Sequence, residues 1–182
     1  MKKIITCLST LIVLVLLVVG ITAISTAGAD IVSGMRAEGF SVKTDGDAGL
    51  RVHFAYNENI AKKNDSGYSL YEYGALLGTK ETYDKYAETI GGIDSLLTSN
   101  GKKTSAPDGI KQVVAYRNGQ YGTGNVKNGV SNFFARFDNI DEIGFETPLT
   151  AVGYEVWEKD GEYTAVFTKF KKSEYNSFSL LS

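Results

Sequence analysis

The amino-acid sequence predicts a mainly β protein, an antiparallel β-sandwich of about seven strands with one short helix. The chain contains 20 glycines, 11 tyrosines and 9 phenylalanines but only 2 prolines, a composition typical of strands joined by tight turns. In several segments apolar and polar side chains alternate, which is the period of a half-buried strand. Regularly spaced turn signals favour a sandwich, and a partly open β-barrel is the alternative.

The alternation is clearest where Leu50, Val52 and Phe54 are separated by Arg51 and His53. Six further segments share this pattern or a strand-like composition. The seven predicted strands cover residues 38–44, 50–56, 68–77, 111–117, 131–138, 149–158 and 162–170.

Two dipeptides predict hairpin turns between neighbouring strands. Asn118-Gly119 follows the fourth predicted strand, and Asp160-Gly161 separates the last two. Asn-Gly and Asp-Gly favour two-residue hairpins because both positions of such a turn require a positive φ.

One helix is expected between the third and fourth strands. Tyr83, Tyr86, Ala87 and Ile90 follow the i, i+3, i+4, i+7 spacing of one helical face. Thr79 is placed to cap the amino terminus of this helix. We expect the helix to pack at one end of the sandwich.

The amino terminus has the organisation of a secretory signal peptide. Lys2 and Lys3 precede a long segment without charge, and small residues follow it at Ala27 and Ala29. This order predicts a hydrophobic helix and a cleavage between Ala29 and Asp30. The uncharged segment is also long enough to span a bilayer as a retained anchor. In both cases the residues after position 30 lie on the outer, non-cytoplasmic side of the membrane.

The predicted organisation is a signal peptide or membrane anchor at residues 1–29, a linker at residues 30–37 and one β-sandwich domain at residues 38–182. Loss of the first segment removes Cys7, the only cysteine, and two positive charges from a chain whose net charge is −2. The exported domain therefore has no thiol and is mildly acidic. Such a domain is a poor match for nucleic acid, which is bound mainly by basic patches.

The sequence lacks the residues that nucleophilic or metal-dependent catalysis requires. His53 is the only histidine, and a catalytic triad needs a base beside its nucleophile. A single histidine without cysteine partners also does not make a zinc site. We therefore expect no catalytic residue, no metal ligand and no cofactor.

Carboxylates leave one enzymatic alternative open. Glycoside hydrolases use two acidic side chains across a cleft. Four glutamates lie near the predicted strands, at Glu146, Glu155, Glu158 and Glu162. A secreted carboxylate-dependent glycoside hydrolase is therefore an alternative to a non-enzymatic domain.

Aromatic residues are the remaining functional signal. Tyr116, Tyr121, Trp157 and Tyr163 flank the two predicted hairpins. Exposed aromatic rings stack on sugars and on protein partners, although aromatic residues also fill the cores of sandwiches. We predict that Trp157, with Tyr116 and Tyr121, contacts a ligand.

Four segments resemble, in order, the strands of a β-rich domain found in extracellular multi-domain proteins of Firmicutes, often beside dockerin, S-layer or Ig-like modules. They resemble the patterns G-[LI]-R-F, Y-G-x-L-[IV], F-x-A-x-[LV]-x-N-I and x-A-[RV]-[GA]-Y-[IV]. The segments are residues 49–54 (GLRVHF), 73–77 (YGALL), 134–140 (FARFDNI) and 150–156 (TAVGYEV). The chain departs from the pattern at Val52, where the family tends to have phenylalanine, and in standing alone behind a signal segment. The resemblance implies a non-catalytic extracellular module and transfers no catalytic residue.

The expected function is that of an exported, non-catalytic surface or secreted β-domain that binds a cell-surface glycan or a protein partner. The alternatives are the glycoside hydrolase and a structural surface protein without a ligand. We expect no nucleic-acid partner, and contact with the membrane only through an uncleaved N-terminal segment.

Overall fold

The computed structural model describes residues 31–43, 49–61, 67–89, 96–122, 125–138 and 147–168. The predicted N-terminal hydrophobic helix lies outside the described residues, as does the predicted cleavage site at Ala27, Ala29 and Asp30. Among the helices that are described, none is both long enough and apolar enough to cross a bilayer.

The described residues form eleven strands and two short helices. In chain order they are β1 (Met35–Lys43), β2 (Gly49–Asn57), α1 (Glu58–Ala61), β3 (Ser69–Thr79), α2 (Lys80–Thr89), β4 (Thr98–Ser99), β5 (Lys102–Lys103), β6 (Lys111–Arg117), β7 (Gln120–Tyr121), β8 (Asn125–Lys127), β9 (Val130–Asp138), β10 (Leu149–Lys159) and β11 (Glu162–Phe167). The seven longest strands correspond to the seven predicted segments, and α2 is the predicted helix. The short strands β4, β5 and β8 and the helix α1 lie outside the predicted elements, and β7 follows the predicted Asn118-Gly119 turn.

Two main antiparallel sheets confirm the predicted sandwich. A four-stranded sheet has the order β1-β2-β9-β8, and a five-stranded sheet has the order β11-β10-β3-β6-β7. The short strands β4 and β5 form a separate hairpin. The main sheets share no strand within the described part of the chain, and this arrangement favours the sandwich over the barrel.

The core between the two sheets is built by the alternating strands. Leu50, Val52 and Phe54 from β2 meet Ala75 and Leu77 from β3, and all five side chains are buried. Phe54 stacks on Phe133 of β9, with ring centroids 5.5 Å apart. The period-2 pattern of β2 therefore corresponds to one face in the core and one face toward solvent.

A second core covers the opposite face of the five-stranded sheet. Tyr83 of α2 and Leu97 pack there against Leu76 and Val152. Because β3 and β10 are buried on both faces, their side chains are buried over most of their length without alternation. The helix α2 packs where β3 ends, as expected.

The first strand begins earlier than predicted. Residues 38–44 were the expected strand, whereas β1 already starts at Met35, inside the segment predicted as a linker. The backbone amides of Gly34 and Met35 donate to the Glu155 carboxylate at 2.9 and 3.0 Å. These bonds join residues about 120 positions apart, so no local pattern could indicate them.

Both predicted hairpin turns have the required backbone. Asn118 and Gly119 have φ values of 47° and 87°, and Asp160 and Gly161 have values of 53° and 82°. Positive φ at both central positions belongs to the type I′ turn, whose twist matches the flanking strands. The first of these turns is important for the site because it folds β7 back onto β6.

Candidate functional site

An aromatic-lined cavity of about 270 Å³ lies at the end of the sandwich where β2, β6 and β10 finish and β3 begins. We call it the tyrosine cavity. Its lining residues come from both sheets and the adjoining segments, so only the packed sandwich brings them together. They are Tyr56, Glu58, Tyr68, Leu70, Tyr73, Tyr116, Tyr121 and Trp157.

The three predicted ligand-binding aromatics all line this cavity, but they differ in exposure. Tyr121 is 49% exposed, and Tyr116 is half-buried. Trp157, which we predicted to contact a ligand, is only 2% exposed. It does not offer an exposed ring, because both faces of β10 are covered. Tyr163 lies elsewhere, edge-on to Tyr71 at the second core.

Tyr116 and Tyr121 are brought together by the Asn-Gly hairpin. The turn places them directly opposite each other on β6 and β7. Their rings meet edge-to-face with centroids 5.2 Å apart, a preferred geometry for aromatic pairs. A local sequence signal therefore positions the outer part of the site.

The inner part of the site is a stack of rings that reaches into the core. The rings of Tyr116 and Tyr73 are nearly parallel, at 7°, with centroids 5.2 Å apart. Tyr73 in turn stacks on Tyr56 of the opposite sheet at 4.1 Å. Together with Tyr121 these rings form a continuous aromatic path from the surface to the space between the sheets.

Tyr56 carries the most unusual polar group in the cavity lining. The residue is fully buried, and its hydroxyl has no hydrogen-bond partner among the described residues. Burial raises the pKa of Tyr56 far above its usual value, and the charge of Glu155 adds to this effect. Tyr73 shares both properties, since its hydroxyl also has no hydrogen-bond partner among the described residues and burial raises its pKa to about 12. Both phenols are therefore neutral at physiological pH.

Among the described residues, Glu58 is the only charged side chain that lines the cavity. Its position follows from a local cap, because the Asn57 side chain accepts a hydrogen bond from the Asn59 amide at 3.0 Å at the start of α1. The Glu58 amide is also tied to the Gly129 carbonyl at 2.9 Å. The Tyr121 hydroxyl donates a hydrogen bond to Glu58 Oε1. This bond joins β7 of the five-stranded sheet to α1, which directly follows β2 of the four-stranded sheet, at the rim of the cavity.

The ring of Tyr68, beside the entrance, already faces a cation. The ammonium group of Lys159 lies over this ring, 5.0 Å from its centroid. That separation is within the range of a cation–π interaction. Lys159 therefore covers this face of Tyr68 and places a positive charge beside the cavity.

The buried carboxylate of Glu155 holds the Trp157 indole in the wall of the cavity. Glu155 is 0% exposed and accepts hydrogen bonds from the Trp157 indole at 3.0 Å and from the Ser33 hydroxyl at 2.5 Å. It also accepts the two backbone amides that begin β1. Burial raises the pKa of Glu155, and its hydrogen-bond donors oppose that shift. Glu155 therefore links the first strand, the indole and the core.

The other glutamates considered for hydrolysis do not converge with Glu155. Glu158 accepts a hydrogen bond from the Gly161 amide at 2.7 Å and closes the last hairpin turn. Glu162 is exposed at the start of β11, and Glu146 lies outside the described residues. Since both oxygens of Glu155 are already hydrogen-bonded, this group is not presented to a substrate.

A second buried carboxylate, which sequence reasoning missed, lies on the other face of the five-stranded sheet. Glu72 is 0% exposed and accepts hydrogen bonds from Tyr154 at 2.8 Å and Gln112 at 2.7 Å. Arg117 and Lys103 supply positive charge, the latter at 3.5 Å. Both carboxylate oxygens of Glu72 have partners, and the sheet separates this group from Glu155. Glu72 therefore stabilises the fold and is not available to a substrate.

His53 and the acidic residues form no metal centre in the described ranges. His53 is bonded to the Ser41 hydroxyl at 2.9 Å on the outer face of the four-stranded sheet. No group of three or more histidine, cysteine, aspartate or glutamate side chains in the described segments is placed to hold a metal ion.

A larger surface hollow is less suited to ligand recognition. It has a volume of about 630 Å³ and lies beside the 106–111 segment and the ends of β3 and β9. Phe137 is the only aromatic residue among the described residues of its lining. The hollow therefore lacks opposed rings that could hold a planar or ring-shaped ligand, whereas the smaller tyrosine cavity has six aromatic residues.

Comparison of the chain with family models, with curated proteins and with solved structures gave no match. The resemblance to extracellular modules therefore rests on the four motifs alone. The function has to be argued from the chemistry of the site.

Proposed function

We propose that this chain is an exported, non-catalytic β-domain that binds a cell-surface glycan or a surface protein through the tyrosine cavity. One observation carries the proposal. Six aromatic residues from two sheets line a single cavity, and two buried tyrosine hydroxyls among them, those of Tyr56 and Tyr73, lack a partner in the described residues. Concave aromatic sites with a few polar groups are the usual form of a ligand-binding site.

The sequence supports export independently of the cavity. Its basic, apolar and small-residue segments follow the order of a signal peptide. The predicted exported part contains no cysteine, so its folding does not depend on the redox state of the compartment. The motif resemblance to surface modules of Firmicutes supports the same location, either secreted or on the outer face of the cytoplasmic membrane.

The non-catalytic part of the proposal is supported by the carboxylates. A glycoside hydrolase needs two acids facing one another across a substrate cleft. Within the described part of the chain, the lining of the tyrosine cavity contains a single carboxylate, that of Glu58, which accepts a hydrogen bond from Tyr121. The cavity is therefore better suited to holding a ligand than to cleaving one.

Binding to a glycan array and to isolated cell walls tests the proposal. Tyr121→Ala should reduce binding at least about tenfold, since stacking aromatic contacts are frequent binding hot spots. Phe134→Ala is the matched control, because Phe134 is 44% exposed on the outer face of the four-stranded sheet, away from the cavity. Equal binding by both variants and the unmodified protein would contradict the proposal. The absence of any ligand in both screens would favour a structural surface protein.

A further inference from the structure

We propose that the C-terminal segment, residues 169–182, continues the line of β11 and docks on the core-facing side of β1. The segment would thereby close an open edge of the sandwich. This inference does not rest on the proposed binding function. It concerns the side of β1 that faces the five-stranded sheet, and the part of this chain that covers it.

One side of β1 is apolar and is turned toward the core. Each of its four apolar residues lies opposite an inward-facing residue of β2, and opposed residues of an antiparallel pair point to the same face. A bulge between Ala37 and Gly39 explains why Phe40 follows Ala37 by three positions rather than two. The opposed pairs are Met35 with Tyr56, Ala37 with Phe54, Phe40 with Val52, and Val42 with Leu50.

This apolar side is buried only where β1 begins. Met35 is 8% exposed, whereas Phe40 is 51% and Val42 is 45% exposed. The residues opposite them on β2, Val52 and Leu50, are at most 1% exposed. Burial of apolar surface contributes roughly 25 cal/mol per Å² to stability, so covering the second half of β1 would be favourable.

The last described residue, Thr168, lies beside this surface. A Cβ atom at Gly153 of β10 would lie 2.5 Å from Met35 Cγ and 3.0 Å from Thr168 Cγ2. The side chains of Met35 and Thr168 therefore occupy the same face of β10. The segment that follows Thr168 starts where the exposed part of β1 begins.

The register of β11 on β10 gives the direction of the segment. The Thr168 amide donates to the Gly153 carbonyl at 2.9 Å, which continues the antiparallel register of β11 by one residue. In the same register Phe170 lies opposite Ala151. Side chains two positions apart in a strand point to the same face, so Phe170 shares the face of Thr168 and is turned toward β1.

The backbone of β10 provides a second reason for this pairing. The N–H and C=O groups of alternate residues point to the same neighbouring strand, so those of Ala151, like those of Gly153, point to the side of β11. Within the described residues no strand pairs with Ala151 on that side, although Ala151 is only 5% exposed. Buried backbone groups nearly always have partners, and the backbone of Phe170 would supply them.

The sequence after Thr168 suits an edge strand. Phe170 stands between Lys169 and Lys171, which is the alternation of a half-buried strand. Lysine on an edge strand hinders pairing with another chain. The sequence pattern also predicts that the last strand extends to residue 170, three residues beyond the end of β11.

A segment of the same chain is favoured over a second copy as the occupant. The segment is tethered directly beside β1 through Thr168, so its effective concentration there is on the order of millimolar. A second copy would have to displace it in order to reach Phe40 and Val42.

Amide hydrogen exchange of the unmodified full-length protein, followed by NMR, tests the pairing with β10. The Phe170 amide should exchange at least about tenfold more slowly than the amides of Lys169 and Lys171. In an antiparallel pair only alternate amides point to the partner strand, and paired amides are protected from exchange. The two lysine amides are therefore internal controls.

A double-mutant cycle tests the contact with β1. Phe170→Ala should raise the equilibrium constant for unfolding about tenfold, measured by urea denaturation. In the Phe40→Ala background it should raise the constant only about threefold, because the contact partner is already lost. Phe134→Ala is the matched control background, since Phe134 is 44% exposed on the outer face of the same sheet. The full tenfold effect should persist there.

Alternating protection around Phe170, together with its coupling to Phe40, would support the docking of the C-terminal segment. Uniformly fast exchange over residues 169–172 would overturn it. Equal effects of Phe170→Ala in the Phe40→Ala and Phe134→Ala backgrounds would also overturn it. A denaturation midpoint that rises with protein concentration would show that a second copy covers β1 instead. If Phe170→Ala does not fold, the exchange pattern of the unmodified protein decides the question.

Discussion

The Trp157 indole donates a hydrogen bond to the buried carboxylate of Glu155, two residues earlier on the same strand, at 3.0 Å. The same carboxylate receives the amides of Gly34 and Met35. One side chain therefore holds the wall of the tyrosine cavity and the beginning of the first strand. The site and the N-terminal edge of the sandwich consequently depend on the same buried group.

Replacement of Glu155 by alanine should strongly destabilise the fold. It would leave the indole and the Gly34 amide without their acceptor and the Met35 amide with only Ser33 Oγ at 3.2 Å. Each buried unsatisfied polar group costs about 1–3 kcal/mol. We expect the free energy of unfolding to fall by about 3 kcal/mol or more in urea denaturation. Glu162→Ala, on an exposed glutamate, serves as the control and should leave the midpoint nearly unchanged. A similar small shift in both variants would show that the Glu155 contacts contribute little.

The buried tyrosines should make the fold sensitive to alkali. The pKa of Tyr73 is raised from 10.0 to about 12 by burial, so the folded state retains this proton when the unfolded state has lost it. The stabilising contribution is therefore complete below pH 10 and is lost as the pH rises from 10 to about 12. Unfolding followed by circular dichroism across this range should show the loss, and Tyr73→Phe should reduce its slope. A slope that does not change in the variant would refute the assignment to Tyr73.

Two glycines should differ in their tolerance of a methyl group. A Cβ atom at Gly74 would lie 2.0 Å from the Val113 carbonyl oxygen, which belongs to the neighbouring strand. At Gly153 the nearest obstacle is the Met35 side chain at 2.5 Å. A side chain moves more readily than a paired strand, so Gly74→Ala should lower the free energy of unfolding more than Gly153→Ala. For Gly153→Ala we expect a loss of about 1–3 kcal/mol from overpacking. Thermal melting of the two variants gives the order, and the reverse order would contradict this account.

The polar cluster around Glu72 should behave as a coupled unit. Tyr154 donates to Glu72 at 2.8 Å and is itself contacted by Gln112 at 2.8 Å. Tyr154→Phe removes the hydroxyl without a large change in volume and should cost about 1–3 kcal/mol, since the bond is to a charged group. A double-mutant cycle with Gln112→Ala should give a non-additive free energy. Strict additivity would show that the contacts act independently.

Local patterns were sufficient for most of the secondary structure. The alternation of β2, the helical spacing around Tyr83 and the two Gly-containing hairpin turns are each encoded within about ten residues, and each was predicted correctly. The short hairpin of β4 and β5 and the strand β8 were missed because two or three residues carry too little periodicity. Their pairing depends on neighbours that a local pattern does not contain.

The candidate site was only partly predictable. The Asn118-Gly119 turn indicated a pair of aromatics at Tyr116 and Tyr121, and the structure brings these two together. Tyr56 and Glu58 gave no such signal, because in the sequence they belong to the end of a core strand and to a polar segment. Packing of one sheet on the other is what places them beside β6 and β7.

By itself the sequence determined the strands, their turns and the β-rich class of this protein, since period, turn chemistry and composition are local properties. Only the tertiary structure decided that Trp157 is buried and that Glu155 is its acceptor. The reason is physical: β10 is covered on both faces, so alternation along the chain no longer separates core from solvent. The same double coverage buries Glu155, which the sequence offered only as a candidate acid near a strand, and makes it the link between the first strand and the tyrosine cavity.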